Sequence, residues 1–95
     1  MVMTDSASAP VPDATILTLL HLLGIQAMVA LGEVISPITQ QKTVNLRQAQ
    51  WHIAGIEVLQ EKTAGNLTEA EETAIEKVLV ELREVLARKK ARKAV

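Results

Sequence analysis

The chain has 95 residues, a formal net charge of −1, 48% hydrophobic residues, no cysteine and Trp51 as its one aromatic residue. This length allows a single domain near the lower end of independent stability, because a domain this small buries only about two-thirds of its extended-chain surface. The composition excludes disulfides and thiolate metal sites. A core of Leu, Ile, Val, Met and Ala favours helix-on-helix packing over a sandwich or barrel.

A leader of residues 1–12, rich in Ser, Ala and Pro, comes first and is expected to be disordered because it has little to bury. It has no basic region and carries Asp5 before any apolar run, so we predict no secretory signal and expect the cytoplasm as the compartment. Pro10 and Pro12 prevent a helix from extending backwards. Asp13 is the predicted N-cap of the first helix.

The first predicted helix runs from about Ala14 to Leu31 and ends at Gly32, which can adopt the left-handed cap conformation. It carries no charged residue. Its polar residues fall within one angular third of the helix: Thr15, Thr18, His21 and Gln26. A helix that is apolar nearly all round must be buried nearly all round. Two other helices can cover about half of it, so we predict that the first helices of several copies share a core.

The predicted contact between copies is centred on Gly24 and Ala27, because small side chains let two backbones approach closely. Two-fold symmetry is the commonest way to build such a contact, so we expect a dimer or a dimer of dimers. The residues assigned to this oligomer interface are Leu20, Gly24, Ala27, Met28 and Leu31. The alternative is that the small residues are tolerated there without forming any contact.

The same uncharged stretch, about 18 residues long, meets the lower limit for a membrane span. His21, Gly24 and Gln26 count against a span, as does the lack of Trp, Tyr or basic residues at the ends of the stretch. We therefore expect no membrane association, with a spanning helix as the alternative.

A connection of residues 33–44 follows, and Asn45 is the predicted N-cap of a second helix from about Leu46 to Ala64. Two apolar stripes run along that helix. The first has a heptad-like spacing and consists of Leu46, Ala49, Ile53 and Ile56. The second is offset by about a third of a turn and consists of Trp51, Ala54 and Val58.

The segment from Gly65 to Thr68 is the clearest local signal in the chain. Gly65 supplies a C-terminal cap, Leu67 can fold back on the preceding turn, and Thr68 forms a capping box with Glu71. A third helix follows to about Lys90 with one apolar stripe: Ile75, Val78, Leu79, Leu82, Val85 and Leu86. Because the link is short, the second and third helices are predicted to form an antiparallel hairpin.

The predicted fold is therefore all-α: a long hydrophobic first helix plus the hairpin, forming a three-helix domain over residues 13–87 that oligomerisation completes. Half of the ten basic residues lie beyond this domain in a tail, residues 88–95: Arg88, Lys89, Lys90, Arg92 and Lys93. Residues 1–87 carry the other five against eleven acidic residues, a balance of −6. The tail can neutralise up to about five phosphates, so a nucleic-acid- or ribosome-associated role is the alternative function. Basic residues in a last helical turn also complement the helix dipole without any ligand.

No set of residues has a catalytic, metal-binding or cofactor-binding signature. His21 and His52 are the only histidines, and no Cys, nor any Asp or Glu within one turn of His21 on its own helix, completes a metal set. The serines lie in the leader or the connection with no histidine adjacent in sequence, although triads can assemble from distant residues. Four carboxylates at the start of the third helix complement its dipole, with a metal site as the alternative: Glu69, Glu71, Glu72 and Glu76. We predict no cofactor and no enzyme activity.

Three stretches of the chain resemble a known family. They are Ala30-Leu31-Gly32-Glu33-Val34 followed by Pro37, Glu61-Lys62-Thr63-Ala64-Gly65-Asn66-Leu67-Thr68, and Leu79-Val80-Glu81-Leu82-Arg83. Together they are similar to a family of short bacterial cytoplasmic proteins described as domain of unknown function 1844, over about residues 14–86. The resemblance implies a helical cytoplasmic protein and implies no reaction chemistry, because that family has no established activity.

The chain departs from the family's pattern in places. Ser36 precedes Pro37 where the family usually has Asp, and Trp51, His52 and Ala54 stand where it tends to have Gln, Thr and Asp. A function that depends on that polar cluster is therefore not expected here. We predict a non-enzymatic, homo-oligomeric interaction or scaffold protein, with a second copy or a further protein as its partner.

Overall fold

The computed structural model describes residues 11–94, with the backbone alone for residues 93 and 94. Three helices make up the fold: α1 (Ile16–Ala30), α2 (Leu46–Lys62) and α3 (Glu69–Ala94). Within residues 11–94 there is no strand, and the predicted all-α class is confirmed. The predicted leader lies outside the described residues as far as residue 10.

The two ends of α1 are set by local hydrogen bonds. The N-cap predicted at Asp13 is wrong: Thr15 is the cap, and its side chain accepts from the Thr18 N–H at 3.1 Å. A capping side chain reaches N–H groups two or three residues ahead, so Asp13 lies too far before the first turn. At the other end Gly32 has a φ of 78°, which confirms the predicted left-handed cap. The Glu33 N–H donates to the Met28 carbonyl at 3.0 Å, as in a Schellman motif.

The connection from α1 to α2 folds back on itself. The Ser36 hydroxyl accepts from the Ile38 N–H at 3.2 Å, a bond that starts a turn. The Ser36 N–H donates to the Gln41 carbonyl at 3.0 Å, which closes the loop. The Asn45 N–H donates to the Ala30 carbonyl at 2.7 Å, so the start of α2 lies beside the end of α1. Asn45 caps α2 as predicted.

The link from α2 to α3 follows the predicted pattern closely. Gly65 has a φ of 88°, so it is left-handed as expected. The predicted end of α2 is two residues too late, because α2 ends at Lys62 and Thr63, not Gly65, is its C-terminal cap. The Thr68 N–H donates to Glu71 Oε1 at 2.8 Å, and Thr68 Oγ1 accepts from the Glu71 N–H at 3.1 Å, which completes the capping box. The antiparallel order of α2 and α3 remains a prediction; the ion pair between Glu57 and Arg83, at 2.6 Å, joins the two helices as that order requires.

The core lies where the predicted stripes meet. Each helix contacts the other two. The buried apolar residues are Leu20, Ala27, Ala30, Leu31, Ala49, Ile53, Ile56, Ile75, Leu79, Leu82 and Val85. The fold is thin: its Cα atoms extend 53 × 38 × 16 Å.

α3 is longer than predicted. It continues past Lys90 to Ala94, so the described part of the basic tail is helical. Residues 87–94 are Ala, Arg and Lys, which are strong helix formers. Their positive charges also suit the negative end of the helix dipole. That stretch contains no glycine of the kind that follows α1 and α2.

Candidate interaction site

The residues predicted to form the oligomer interface face the chain's own core. Leu20, Ala27 and Leu31 are all buried against the other helices, and Met28 packs against the same cluster. A Cβ placed on Gly24 would lie 3.7 Å from Val78 Cγ1 of α3. Gly24 therefore lies beside α3, at a distance that leaves room for a methyl group. Leu20, Ala27 and Leu31 are covered within a single chain, whereas Gly24 and Met28 are partly exposed. The interface predicted at these five residues therefore stays a prediction, and the burial of three of them argues against it.

The opposite side of α1, which we name the α1 outer face, holds the exposed apolar residues. Its members are Leu17, Leu19, Leu22 and Ile25, with exposed fractions between 40% and 54%. Sequence reasoning missed this set, although a signal for it was present. The polar residues Thr18, His21 and Gln26 lie on the same side, and polar residues normally mark the side of a helix that faces water.

A shallow apolar groove of about 190 Å³ runs along one edge of the α1 outer face, between α1 and α3. Ile25 and Val34 line it from the outer face and the connection, and Val78 lines it from α3. His21 and Glu81 supply its polar groups. The groove joins the outer face of α1 to Val34, so the apolar surface continues beyond the helix.

A second exposed surface, which we name the α2 outer face, contains the predicted stripe of Trp51, Ala54 and Val58 together with Gly55. All four residues are exposed, and Trp51 is 72% exposed. The Trp51 ring meets the His52 ring edge-on, with centroids 5.2 Å apart. His52 Nδ1 is covered and has no hydrogen-bond partner within the described residues. The stripe was visible in the sequence, but its position on the outside was not.

The basic residues at the end of α3 do not act as one group. Lys89 donates to Glu33 at 2.8 Å and its side chain is only 12% exposed. That hydrogen bond and the Lys89 charge lower the pKa of Glu33, and Arg88 and Lys42 act in the same direction at longer range, while partial burial opposes them. Of the other predicted polyanion contacts, Arg88, Lys90 and Arg92 are exposed. The side chain of Lys93 lies outside the described residues.

At 3.6 residues per turn, Lys90 points away from the side of α3 that carries Arg88 and Arg92. The exposed charges therefore surround the helix end and do not form one stripe. Across residues 11–94, His, Asp and Glu side chains nowhere gather in a group of three or more that could hold a metal ion. None of the described helices is both long and apolar enough to cross a bilayer.

Comparison with known proteins supports the resemblance found in the sequence. The model of a family described as a domain of unknown function, DUF1844, matches residues 13–88. No curated protein and no solved structure matches the chain. Because the family match covers most of its length, this protein belongs to the DUF1844 family.

Proposed function

We propose that this protein is a non-enzymatic, cytoplasmic interaction module that associates with itself through the α1 outer face. The observation that carries the proposal is the exposure of Leu17, Leu19, Leu22 and Ile25 on a helix with no charged residue. Soluble monomers rarely leave a contiguous apolar surface of this kind in water.

The chemistry of α1 makes its outer face easy to bury. The polar groups there are Thr18, His21 and Gln26, and no carboxylate, Lys or Arg on α1 has to lose its hydration. Burial returns about 25 cal/mol for each Å² of apolar surface that leaves water. The exposed fractions of the apolar side chains on this face show that the other two helices leave this side of α1 uncovered.

Light scattering on size-separated protein at about 10–100 μM tests the proposal, since association depends on concentration. We expect a dimer or a dimer of dimers for the wild type and a smaller particle for the double variant Leu19→Gln/Leu22→Gln. Val80→Gln is the matched control, because Val80 is 52% exposed on α3, close to the 54% of Leu22, and lies outside the α1 outer face. A wild type with the mass of one chain at every concentration would refute the proposal.

A second candidate function is contact with a polyanion, favoured by the exposure of Arg88, Lys90 and Arg92 on the last turns of α3. Such binding is independent of base sequence and weakens steeply with salt. Fluorescence anisotropy with a labelled oligonucleotide should show binding that the triple change of these residues to Gln removes. Lys77→Gln is the control, an exposed Lys elsewhere on α3. An oligonucleotide affinity that changes neither with salt concentration nor in the triple variant would exclude this function.

A further inference from the structure

We propose that one end of the fold docks onto the surface of a bilayer that contains anionic lipids. We name it the basic end and define it as residues 33–48 and 85–92, which are the connection from α1 to α2, the start of α2 and the last turns of α3. Apolar side chains of the connection enter the bilayer surface, and the cations beside them contact lipid phosphates. Surface binding of this kind needs no spanning helix. It also goes beyond the proposed self-association, because the basic end contains no residue of the α1 outer face.

The basic end is one surface although its parts are far apart in sequence. The Asn45 N–H donates to the Ala30 carbonyl at 2.7 Å, which places the start of α2 beside the end of α1. Lys89 donates to Glu33 at 2.8 Å, which places the last turns of α3 beside the connection. A shallow cavity of about 360 Å³ between them is lined by Val44, Leu46, Lys89 and Arg92. Apolar and basic side chains therefore meet at one place.

The connection holds large apolar side chains out in water. Ile38 is 90% exposed, and Ile35 and Val44 are each 53% exposed. The loop that carries Ile38 is closed by the hydrogen bond from the Ser36 N–H to the Gln41 carbonyl, so this isoleucine projects from a hydrogen-bonded turn. Single exposed apolar residues are normal on a protein surface. Three of them on one connection, next to a cluster of cations, indicate a surface that meets an apolar medium.

The charge of the molecule is unevenly distributed and is positive at the basic end. The basic end carries six basic residues and one acidic residue, whereas residues 49–84 carry three basic and eight acidic residues. The acidic residue is Glu33, and Lys89 lowers its pKa by contact while Arg88 and Lys42 act in the same direction through their charges. The cations left exposed include Lys42 and Arg88. A molecule polarised in this way turns its basic end toward a negative surface, and each Lys or Arg close to an anionic bilayer strengthens the attraction.

The combination of isoleucine with cations distinguishes a bilayer from other partners. A nucleic acid would use the cations and leave Ile38 in water, because the only aromatic residue of the chain, Trp51, lies outside the basic end and supplies no stacking platform there. A second copy docking through the same end would bring like charges together. A bilayer with anionic headgroups offers phosphate oxygens at its surface and hydrocarbon about 5–10 Å below them. Of these three partners, the bilayer alone suits both kinds of side chain.

Co-sedimentation of the full chain with lipid vesicles tests the docking. We expect binding to vesicles of phosphatidylcholine with about 30% phosphatidylglycerol, and little binding to phosphatidylcholine alone. Binding should weaken as the salt concentration rises from about 0.05 to 0.5 M, because salt screens the attraction between exposed charges. Equal binding to both kinds of vesicle, or binding to neither, would overturn the proposal.

Ile38→Gln tests the apolar part of the contact. It should lower the vesicle partition coefficient about tenfold because the side chain no longer enters hydrocarbon, whereas Ile38→Leu should bind like the wild type. Since Ile38 is 90% exposed, Ile38→Gln should keep the Tm of the wild type, so that a loss of binding does not reflect a loss of folding. Val80→Gln is the matched control, at an exposed valine of α3 outside the basic end. A partition coefficient that Ile38→Gln leaves unchanged would overturn the insertion.

Lys42→Gln tests the cationic part. Removing one charge from the basic end should lower the partition coefficient about fivefold on vesicles with phosphatidylglycerol. Lys77→Gln, at an exposed lysine of α3 outside the basic end, should have little effect. Equal effects of the two changes would show that only the total charge of the protein matters, and would overturn the basic end as the contact.

A fluorescent label reports the position of residue 38 directly, because the chain has no cysteine. A polarity-sensitive dye attached to Ile38→Cys should shift its emission to the blue on vesicles with phosphatidylglycerol and become protected from iodide in the water. The same dye attached to Val80→Cys should stay accessible to iodide. A dye at position 38 that iodide still quenches in the bound protein would overturn the proposed orientation.

Failure of the docking and failure of the proposed self-association can be told apart. Ile38→Gln should keep the light-scattering mass of the wild type, whatever that mass is. If Leu19→Gln/Leu22→Gln removes vesicle binding and Ile38→Gln does not, the α1 outer face is the lipid contact and the basic end is overturned. Binding to a labelled oligonucleotide without binding to vesicles would assign the cations to a nucleic acid and overturn the bilayer as the partner.

Discussion

The two connections between helices share one feature and are held by different contacts. Each contains a glycine in the left-handed region, Gly32 two residues after the end of α1 and Gly65 three residues after the end of α2. A Cβ on Gly32 would lie 2.7 Å from Val44 Cγ2 and 3.4 Å from the Thr43 carbonyl oxygen. A Cβ on Gly65 would meet no described atom within 4 Å. A glycine after a helix thus indicates a left-handed backbone at both positions. At Gly32 it also indicates a packed site, because a side chain there would collide with Val44.

The rest of each connection shows the same contrast. The short link is completed by Thr68 and Glu71, three residues apart. The long one is tied to distant parts of the chain, since Asn45 bonds the end of α1 and Glu33 bonds Lys89 near the end of α3. Local hydrogen bonds therefore close the short link between α2 and α3, whereas the long connection between α1 and α2 depends on how the helices pack.

The largest expected effect comes from Gly32→Ala. The new side chain must both accept a left-handed backbone and displace Val44, so the free energy of unfolding should fall by about 3 kcal/mol. Urea denaturation followed by circular dichroism measures it. A loss no greater than that of Gly65→Ala would erase the difference between the two glycines.

Gly65→Ala should cost less, about 1–2 kcal/mol, because only the backbone strain remains. Gly65→Val should cost more than 1 kcal/mol for the same reason, with a β-branched side chain adding to the strain. A Gly65→Val protein that melts with the wild type would mean that α2 does not end in this geometry.

Thr68→Ala tests whether the short link depends on its local bonds. Removing the cap side chain leaves the Glu71 N–H without its partner, so we expect a loss of about 1 kcal/mol in the free energy of unfolding. Thr73→Ala, an exposed threonine inside α3, is the control and should be neutral or slightly stabilising. Equal losses in both variants would show that the capping box contributes nothing specific.

The smallest expected effect concerns Glu33→Gln and is visible through its pH dependence. Lys89 lowers the pKa of Glu33 below its ordinary value of 4.5 in the folded protein. The stabilisation is therefore fully present above that value and is lost as the pH falls through the lowered folded pKa. The difference in Tm between wild type and Glu33→Gln should be largest near neutral pH and should vanish in acid. Glu84→Gln, at a carboxylate with no ion pair among the described residues, should show no such trend.

The sequence alone determined the helices, most of their caps and the apolar stripes. Helix periodicity, a glycine after the last turn and the Thr68–Glu71 pair each act over four residues or fewer. They can therefore be predicted from short stretches of the sequence. The family resemblance was likewise carried by contiguous segments and was confirmed over residues 13–88. The sequence prediction ends α3 at about Lys90, whereas the helix continues to Ala94 because Arg, Lys and Ala all favour a helix.

The tertiary structure alone decided which side of α1 faces the core. α1 is apolar on nearly every side, so its own residues do not say whether Gly24 and Ala27 meet α3 or a second copy. That choice depends on the stripes of α2 and α3, which bring Val78 beside Gly24. The Glu33–Lys89 pair has the same origin, because residues 56 positions apart meet only once the helices pack. The burial of a side chain on α1 depends on which residues of α2 and α3 contact it, and the sequence of α1 does not contain that information.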